Sequence, residues 1–328
     1  MIAKNLSIIG LGRLGASIAL AVKESEFDVD LIGYDESRSQ VRKAQALGIV
    51  DKVESNLRKI AENADILVLA VSYDALQRIM PVIGDMLQEH CLLLDFSELK
   101  GPALTLAEQY MVEDRGHYIG ASPVYASPWL VDGRSDLTTA SGDVFKRSVF
   151  CIMPSAKADP EAVETAVNFG YLLGAVPYFV DPMEYDSLQT GIQTVPGLLA
   201  AALFSAITKS SGWRDMLRFA SVPFAMSTQP LAENVDLAHQ AHTNKMATLH
   251  WLDQVIDALN GLRRQIYEGE EEILAAMVDG IAVERAKWLR ERQKNDWVEG
   301  EVQDLPNPLG ISRFLGVFGQ QKKDEDED

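Results

Sequence analysis

Residues 7–20, SIIGLGRLGASIAL, decide the fold of the first half of the chain. Gly10, Gly12 and Gly15 form G-x-G-x-x-G between an apolar run typical of a buried strand and a stretch of helical periodicity. The first glycine allows a tight turn, the second lets the backbone approach a pyrophosphate, and the third permits close packing of helix on strand. N–H groups at the helix N-terminus can donate to phosphate oxygens. The segment therefore predicts a strand, turn and helix that hold a dinucleotide.

Asp35 ends the second predicted strand, VDLIGYD, twenty residues after Gly15. A carboxylate in this place can accept hydrogen bonds from the adenosine ribose hydroxyls. It would repel the 2′-phosphate of NADP, so NAD is the predicted cofactor. NADP stays an alternative, because Arg38 and Arg42 would partly offset this charge if they turn inward.

Short apolar runs alternate with helical patterns from residue 6 to about residue 180. In ENADILVLAVS, residues 62–72, the apolar run is continuous, as expected for a strand covered on both faces. The alternation predicts an α/β domain with a parallel sheet covered by helices. Ligands bind at the carboxyl ends of such strands. Further candidate cofactor-binding residues in the glycine loop and after the strands are Leu11, Arg13, Leu14, Val71, Ser72 and Ser97.

The second half of the chain has a different pattern. Strand signals fade from about residue 182, and apolar residues then recur at intervals of three and four, which indicates helices. After residue 300, Pro and Gly residues precede an acidic end, KKDEDED. We predict a dinucleotide-binding domain over residues 1–180, an all-helical substrate and dimerisation domain over 181–300, and a flexible acidic tail over 301–328.

The composition excludes several classes of partner. The chain has 328 residues, of which 47% are hydrophobic and 24% charged, and its formal net charge is −18. Such a negative charge repels nucleic acid and anionic membrane surfaces, so neither is an expected partner. The N-terminus lacks the pattern of a signal peptide, and we expect a cytoplasmic protein. Cys91 and Cys151 lie in apolar surroundings, as expected for reduced, buried thiols.

The apolar segment VPGLLAAALFSAI, residues 195–207, is shorter than the roughly twenty residues that cross a bilayer. It is predicted to be a buried helix. A helix that is apolar on nearly all sides must be covered on all sides, and a second copy of the domain would cover it. We therefore expect a homodimer through the helical domain; the alternative is a central helix buried within one subunit.

The order of several motifs resembles the prephenate/arogenate dehydrogenase family of tyrosine biosynthesis. These motifs are GLGRLGASIAL, GYDES, KAQALGIVDKV, NADILVLAV, LLLDFSELKG and YIGASP, followed by DPMEYDSLQTGIQTVPGLLAAAL and SGWRDMLRFAS. The resemblance covers about residues 5–295. It implies a Rossmann-type domain followed by an all-helical domain that dimerises. It also implies oxidation of a cyclohexadienyl hydroxyl by a nicotinamide cofactor, coupled to loss of carbon dioxide.

The family's histidine motifs are altered in this sequence. Ser122 replaces the histidine of a G-x-H-P segment, and Glu98 replaces the serine of D-x-x-S-x-K. Tyr185 and Gly197 stand where the family has two further histidines. A serine hydroxyl is a weak base near neutral pH, so Glu98 is the predicted replacement base and Lys100 the second candidate. The alternative is a Glu98–Lys100 ion pair with no role in proton transfer.

The resemblance also implies where the substrate binds. Arg218, in LRFA, corresponds to the family arginine that pairs with a substrate carboxylate, so a small anionic carboxylate is the expected substrate. Gln193 and Tyr185 are further candidate substrate-binding residues. His239 and His242 share a helix face and are candidate substrate contacts, but no acid at convincing spacing completes a ligand set, and no metal site is predicted.

Three functions remain open from the sequence. The first is a nicotinamide-dependent dehydrogenase related to prephenate and arogenate dehydrogenases. The second is a dinucleotide-binding homologue without catalysis, with a regulatory or scaffold role, which the altered histidine motifs favour. The third is a dehydrogenase of the same architecture that acts on another small hydroxy-carboxylate, with Lys100 as proton carrier.

Overall fold

The computed structural model describes residues 3–294 except residues 26, 113–114, 131–135, 234–235 and 270. The predicted tail, residues 301–328, lies outside the described residues. The described residues fall into two compact units. The first unit comprises the described parts of Met1–Asp181 and of Arg290–Asp328, and the second comprises those of Pro182–Leu289.

The first unit is built on one sheet, which has eight strands within the described residues. Its order is β3-β2-β1-β4-β5-β6-β7-β8. The strands are β1 Asn5–Ile9, β2 Asp30–Tyr34, β3 Lys52–Val53, β4 Ile66–Leu69, β5 Leu92–Asp95, β6 His117–Pro123, β7 Val149–Pro154 and β8 Val176–Phe179. The first six strands are parallel, whereas β6 and β7 are antiparallel. The α/β prediction is confirmed, but the sheet is mixed and not purely parallel.

Helices cover both faces of this sheet. They are α1 Arg13–Glu24, α2 Arg38–Ala46, α3 Leu57–Glu62, α4 Tyr73–Ile83, α5 Lys100–Tyr110 and α6 Pro160–Leu172. Neighbouring residues of β1 face opposite sides, so Ile8 and Ile9 belong to two different apolar clusters. All residues of β4 and β5 are buried, as expected for parallel strands covered on both faces. The core therefore fixes the carboxyl ends of β1, β4 and β5.

The second unit is helical in the part that the structure describes. It contains α7 Pro182–Gln189, a π-helical turn Thr190–Thr194, α8 Val195–Thr208, α9 Trp213–Phe219, α10 Val222–Glu233, α11 Leu237–Thr243, α12 Lys245–Glu268 and most of α13 Glu271–Lys294. The prediction of an α/β fold followed by a helical region is confirmed. The π turn packs on α12, where Trp251 lies so close to Gly191 that a Cβ there would clash.

The predicted apolar helix is present, but its surroundings differ from the expectation. Only Val195, Gly197 and Ala200 of α8 are buried, and Leu203 and Phe204 are each 38% exposed. The second half of α8 is therefore not buried within one chain, which contradicts the alternative of a central helix buried within one subunit. With α7 and the π turn it forms one helix of 27 residues that is long and apolar enough to cross a bilayer. Helices of globular proteins can also have these properties.

Candidate functional site

A cavity of about 260 Å³ opens at the carboxyl ends of β1, β2 and β4. In the Rossmann arrangement this edge of the sheet is where a dinucleotide lies. The residues that line it come from the loops after these strands and from α4. They are Ile9, Gly10, Gly12, Tyr34, Asp35, Glu36, Ala70, Val71, Ser72, Ala75 and Ile79.

Gly10 and Gly15 make the turn into α1 tight. Gly10 has a φ of +98°, in the region that favours glycine, and its N–H donates to the carbonyl of Tyr34 at 2.9 Å. A Cβ on Gly10 would lie closer than 3.0 Å to the carbonyl oxygen of Ala70. A Cβ on Gly15 would lie equally close to the carbonyl oxygen of Gly10. Any side chain at either position would push the helix away from the sheet.

Gly12 differs from both, because a Cβ on it would meet no atom within 4 Å. It is the N-cap of α1, with no side-chain cap and no acidic residue in the first turn. The N-terminus of a helix carries a partial positive charge, and its first N–H groups have no partner inside the helix. Space, charge and donors therefore coincide at Gly12, as the binding of a diphosphate requires.

Asp35 is held at the cavity by two loops. Its Oδ2 accepts a hydrogen bond from the N–H of Leu11 at 2.8 Å, and its Oδ1 accepts one from the N–H of Ser37 at 2.7 Å. Carboxylate oxygens have further lone pairs for ribose hydroxyls. Burial raises the pKa of the Tyr34 hydroxyl, and the negative charges of Glu36 and Asp35 raise it further. This end of the cavity is therefore electronegative.

The two arginines that could favour NADP lie outside the cavity. Arg38 and Arg42 lie on α2, are exposed and do not line the cavity. The acids Asp35 and Glu36 do line it. This arrangement suits a ribose with free hydroxyls better than a ribose with a 2′-phosphate.

Glu98 links two loops at the carboxyl ends of the strands. Its Oε2 accepts a hydrogen bond from the N–H of Tyr73, the first residue of α4, at 2.9 Å. The N-cap of this helix is Ser72, whose hydroxyl accepts from the N–H of Ala75. Glu98 thus connects the loop after β5 to the loop after β4, in which Val71 and Ser72 line the cavity.

A buried polar network lies below this loop. Lys100 and Asp95 are fully buried, and the Lys100 Nζ donates to the carbonyl of Asp95 at 2.7 Å and lies 3.6 Å from its Oδ2. The same carboxylate accepts hydrogen bonds from the hydroxyls of Ser97 and Tyr118, each at 2.9 Å. Lys100 is therefore paired with Asp95, and the hydroxyl of Ser97 is turned into this network.

Ser122 lies near the carboxyl end of β6 and is half-buried. In the antiparallel pairing it stands opposite Cys151 on β7. Burial raises the pKa of Cys151 to about 11, so this neighbouring thiol is neutral at physiological pH. The three predicted catalytic residues therefore lie at the carboxyl ends of neighbouring strands: Ser122 near the end of β6, and Glu98 and Lys100 after β5.

The other glycine-loop residues pack against neighbouring side chains. Leu11 is fully buried and Leu14 packs against the main apolar cluster. Arg13 is only 6% exposed, and its guanidinium lies over the ring of Tyr125, 5.0 Å from the ring centre. Tyr125 also stacks on Phe145, with ring centres 5.8 Å apart. The carbonyl of Tyr125 accepts a hydrogen bond from Arg292 at 2.8 Å.

The predicted substrate-binding residues lie in the helical unit. Tyr185 is buried, and its hydroxyl accepts a hydrogen bond from the Gln189 side chain at 3.1 Å. Gln193 is exposed in the π turn. Arg218 is exposed and lies 3.5 Å from Asp215.

Sequence reasoning missed several residues of the first unit. Tyr118 and Tyr125 are far in sequence from the residues they contact, so no local pattern marks them. Glu36, Ala75 and Ile79 line the cavity as well. The signal for Ala75 and Ile79 was available, because they stand four residues apart on the helix that begins after Ser72.

A sheet of this order with a glycine turn, an open helix N-terminus and an acid at the end of β2 defines a dinucleotide-binding protein of the Rossmann type. Residues 18–178 match the family described as "Prephenate dehydrogenase, nucleotide-binding domain". This match confirms the resemblance to the prephenate dehydrogenase family that the sequence motifs indicate.

Individual relatives agree with this assignment. Prephenate dehydrogenase of Bacillus subtilis is 27% identical over 244 residues, which are 70% of this chain and 64% of that protein. Prephenate dehydrogenase of Lactococcus lactis is 27% identical over 249 residues, 71% of this chain and 66% of that protein. The matches therefore span slightly less than two thirds of these relatives.

A solved structure has the same fold. The prephenate dehydrogenase from A. aeolicus, in complex with hydroxyphenyl propionate and NAD+, superimposes with a TM-score of 0.76. The comparison covers 88% of this chain and 99% of that chain, with 20% sequence identity. At this identity the likeness demonstrates a shared fold.

Proposed function

We propose that this protein is an NAD-dependent dehydrogenase that oxidises a cyclohexadienyl carboxylate, prephenate or arogenate, with loss of carbon dioxide. The observation that carries the proposal is the cavity at Gly12 and Asp35, in a domain of the prephenate dehydrogenase family. Relatives named as prephenate dehydrogenases support the substrate class. The negative charge of the substrate requires a cation at its site.

The residues present fit NAD. Gly12 leaves room for the diphosphate, and Asp35 stands where the adenosine ribose would be bound. Val71 and Ser72 would line the path of the dinucleotide along the sheet edge. When bound, NAD supplies a hydride acceptor at its nicotinamide ring. Asp35 and Glu36 together support NAD over NADP as the cofactor.

We propose that Glu98 takes the proton of the substrate hydroxyl and that Ser122 orients this hydroxyl by a hydrogen bond. Lys100 is less suited to the proton transfer, since its ammonium is fully buried and paired with Asp95. Lys100 instead holds the loop that presents Glu98. A positioned general base contributes about 10² to 10⁴ in rate.

Arg218 is the proposed partner of the substrate carboxylate, with Gln193 and Tyr185 as further contacts. Arg218 is exposed, so it can exchange its contact with Asp215 for a ligand at small energetic expense. A substrate carboxylate offers the bidentate acceptor that a guanidinium prefers. Replacement of Arg218 by Met should raise the KM for the substrate without changing the Kd of NAD.

We also propose that the protein is a cytoplasmic homodimer that pairs through the helical unit. Large apolar side chains of this unit are widely exposed, including Ile192 at 73% and Phe219 at 80%. A second copy of the unit would cover such surface, because closed symmetric dimers are the commonest oligomers. Light scattering of the purified protein should give twice the mass of one chain, 36.1 kDa.

The activity is tested by mixing the protein with NAD or NADP and with prephenate, arogenate or a panel of 3-hydroxy acids. The absorbance of the reduced cofactor should rise with NAD and one of the two cyclohexadienyl substrates. Binding of NAD without reduction by any of them would contradict the proposal and favour a dinucleotide-binding protein without catalysis. Reduction with a 3-hydroxy acid alone would identify a dehydrogenase of another small hydroxy-carboxylate.

The role of Glu98 is tested by Glu98→Gln. The amide keeps an acceptor oxygen for the N–H of Tyr73, so the Kd of NAD should stay within about twofold of the original. Turnover should fall by about 10² or more because an amide does not accept a proton. An unchanged turnover would remove Glu98 from the proton transfer and leave it as a cap of α4.

A further inference from the structure

We propose that the side chain of Arg13 supplies the cation that binds the diphosphate of the dinucleotide, and that Tyr125 holds this side chain in place. The inference rests on the proposed binding of a dinucleotide at the glycine loop. It goes beyond the backbone contacts that the G-x-G-x-x-G pattern predicts. Arg13 is thereby a binding residue, and Tyr125 is a positioning residue.

The first argument is position. Arg13 directly follows Gly12, the residue beside which the structure leaves open space, and it is the first residue of α1. Its backbone is therefore adjacent to the turn at which the diphosphate is proposed to bind, within the reach of an arginine side chain. Only 6% of Arg13 is exposed to solvent. A solvated surface arginine would not be constrained in this way.

The second argument is charge. The chain has a net charge of −18, and the described residues that line the cavity include Asp35 and Glu36 but no lysine or arginine. A dinucleotide brings two further negative charges on its phosphates. The helix N-terminus contributes a charge of only about half a unit. Arg13 adds a full positive charge next to Gly12, and the low local dielectric strengthens its attraction for an anion.

The third argument is preorganisation. Tyr125 is fixed by the stacking of its ring on fully buried Phe145 and by the hydrogen bond from Arg292 to its carbonyl. The guanidinium of Arg13 lies over this ring. Contact with an aromatic face and bidentate binding of an oxyanion use different parts of a guanidinium. Tyr125 can therefore hold Arg13 while Arg13 binds phosphate oxygens, so that little side-chain entropy is lost on binding.

The test uses calorimetry of the full chain with NAD and with ADP-ribose, which has the diphosphate but no nicotinamide. Arg13→Met keeps an unbranched side chain that can replace the methylene part of arginine, and it removes the guanidinium with its charge. We expect it to raise the Kd of both ligands at least tenfold. Arg13→Lys should give an intermediate loss, because it keeps the charge but not the fork of donors.

Two further variants separate positioning from folding. Tyr125→Leu should raise the Kd of both ligands severalfold, whereas Tyr125→Phe, which keeps the ring, should not. Arg38→Met is the matched control, since Arg38 is an exposed arginine outside the cavity, and its Kd for both ligands should equal the original value. Circular dichroism of each variant shows whether its fold is kept.

A folded Arg13→Met variant whose Kd for ADP-ribose stays within twofold of the original would overturn the inference. A rise confined to the KM of a carboxylate substrate would also overturn it, because Arg13 would then bind the substrate and not the diphosphate. If the original protein binds ADP-ribose but reduces NAD with no substrate, the proposed activity fails while the assignment of Arg13 stands. If the original protein binds neither NAD nor ADP-ribose, both proposals fail.

Discussion

The two units of this protein differ in how far their apolar side chains are buried. In the first unit, every residue of β4 and β5 is buried, and two apolar clusters cover the two faces of the sheet. In the second unit, α12 buries only Thr248 among its described side chains, although its 24 residues include Ile266 and Tyr267, which are 66% and 86% exposed. One chain therefore completes the core of the first unit, whereas the helices of the second unit leave large apolar side chains exposed.

The largest expected effect comes from breaking the buried ion pair of the first unit. Lys100→Met leaves the Asp95 carboxylate buried without its cation, which should lower the free energy of unfolding by about 3–5 kcal/mol. Urea denaturation measures this change. The double variant Asp95→Asn with Lys100→Met should lose less than Lys100→Met alone, because no unpaired charge is then buried. A loss below about 1 kcal/mol for Lys100→Met would show that the core does not depend on this pair.

The next largest effects separate two roles of the glycine loop, the packing of α1 on the sheet at Gly15 and the proposed binding of the diphosphate at Gly12. Gly15→Val places a side chain against the carbonyl of Gly10 and should destabilise the first unit by about 3 kcal/mol, as seen for overpacking against rigid structure. Gly12→Val points into open space, so its melting temperature should stay unchanged. Its Kd for NAD should rise about 100-fold, equivalent to about 2.7 kcal/mol.

Calorimetry and thermal melting of these two variants give the readouts. If Gly12→Val bound NAD normally, the diphosphate would not lie at this glycine. If Gly15→Val kept its stability, the close approach of α1 to the sheet would be unnecessary for the fold.

A smaller effect is expected for the apolar surface of the second unit. Ile281 on α13 is 58% exposed, and Ile281→Glu should weaken the proposed dimer by about 2 kcal/mol because it places a charge among apolar groups. Analytical ultracentrifugation should show a shift towards a mass of 36.1 kDa on dilution. The matched control is Leu47→Glu, an apolar residue of the first unit that is 55% exposed. If both variants stayed dimeric, Ile281 would not lie in the contact between copies.

The smallest effect concerns pH. Burial, with a further contribution from the negative charge of Asp65, raises the pKa of Cys91 from 9.0 to about 12. The folded state thus keeps a proton that the unfolded state releases, and the stabilisation present below pH 9 is lost as the pH rises towards 12. Between pH 9 and 10 the original protein should lose about 1 kcal/mol more unfolding free energy than Cys91→Ala. Both cysteines lie in the first unit, so this slope reports on that unit. Equal slopes for the two proteins would mean that Cys91 is accessible to solvent.

Residues close in sequence made much of the first unit predictable. The three glycines, the continuous apolar strands and Asp35 depend on neighbours within one strand, turn and helix, and each has the predicted structure. The order of the family motifs along the chain likewise predicted the order of these strands and helices. Comparison with the family serine makes Glu98 a candidate base, but its contact with the N–H of Tyr73 joins residues 25 positions apart. No local sequence pattern predicts a contact between residues so far apart.

The amino-acid sequence alone fixes the class of fold, because the backbone geometry at Gly10 and the packing at Gly15 depend on the absence of a side chain. It also predicts the place of the diphosphate, at Gly12, where a side chain would occupy open space. Tertiary structure alone decided that Lys100 pairs with Asp95 and that Arg13 lies over Tyr125. These contacts depend on which loops meet at the edge of the sheet. That meeting is set by the order of the strands and by the packing of the core between them, and not by any stretch of residues read alone.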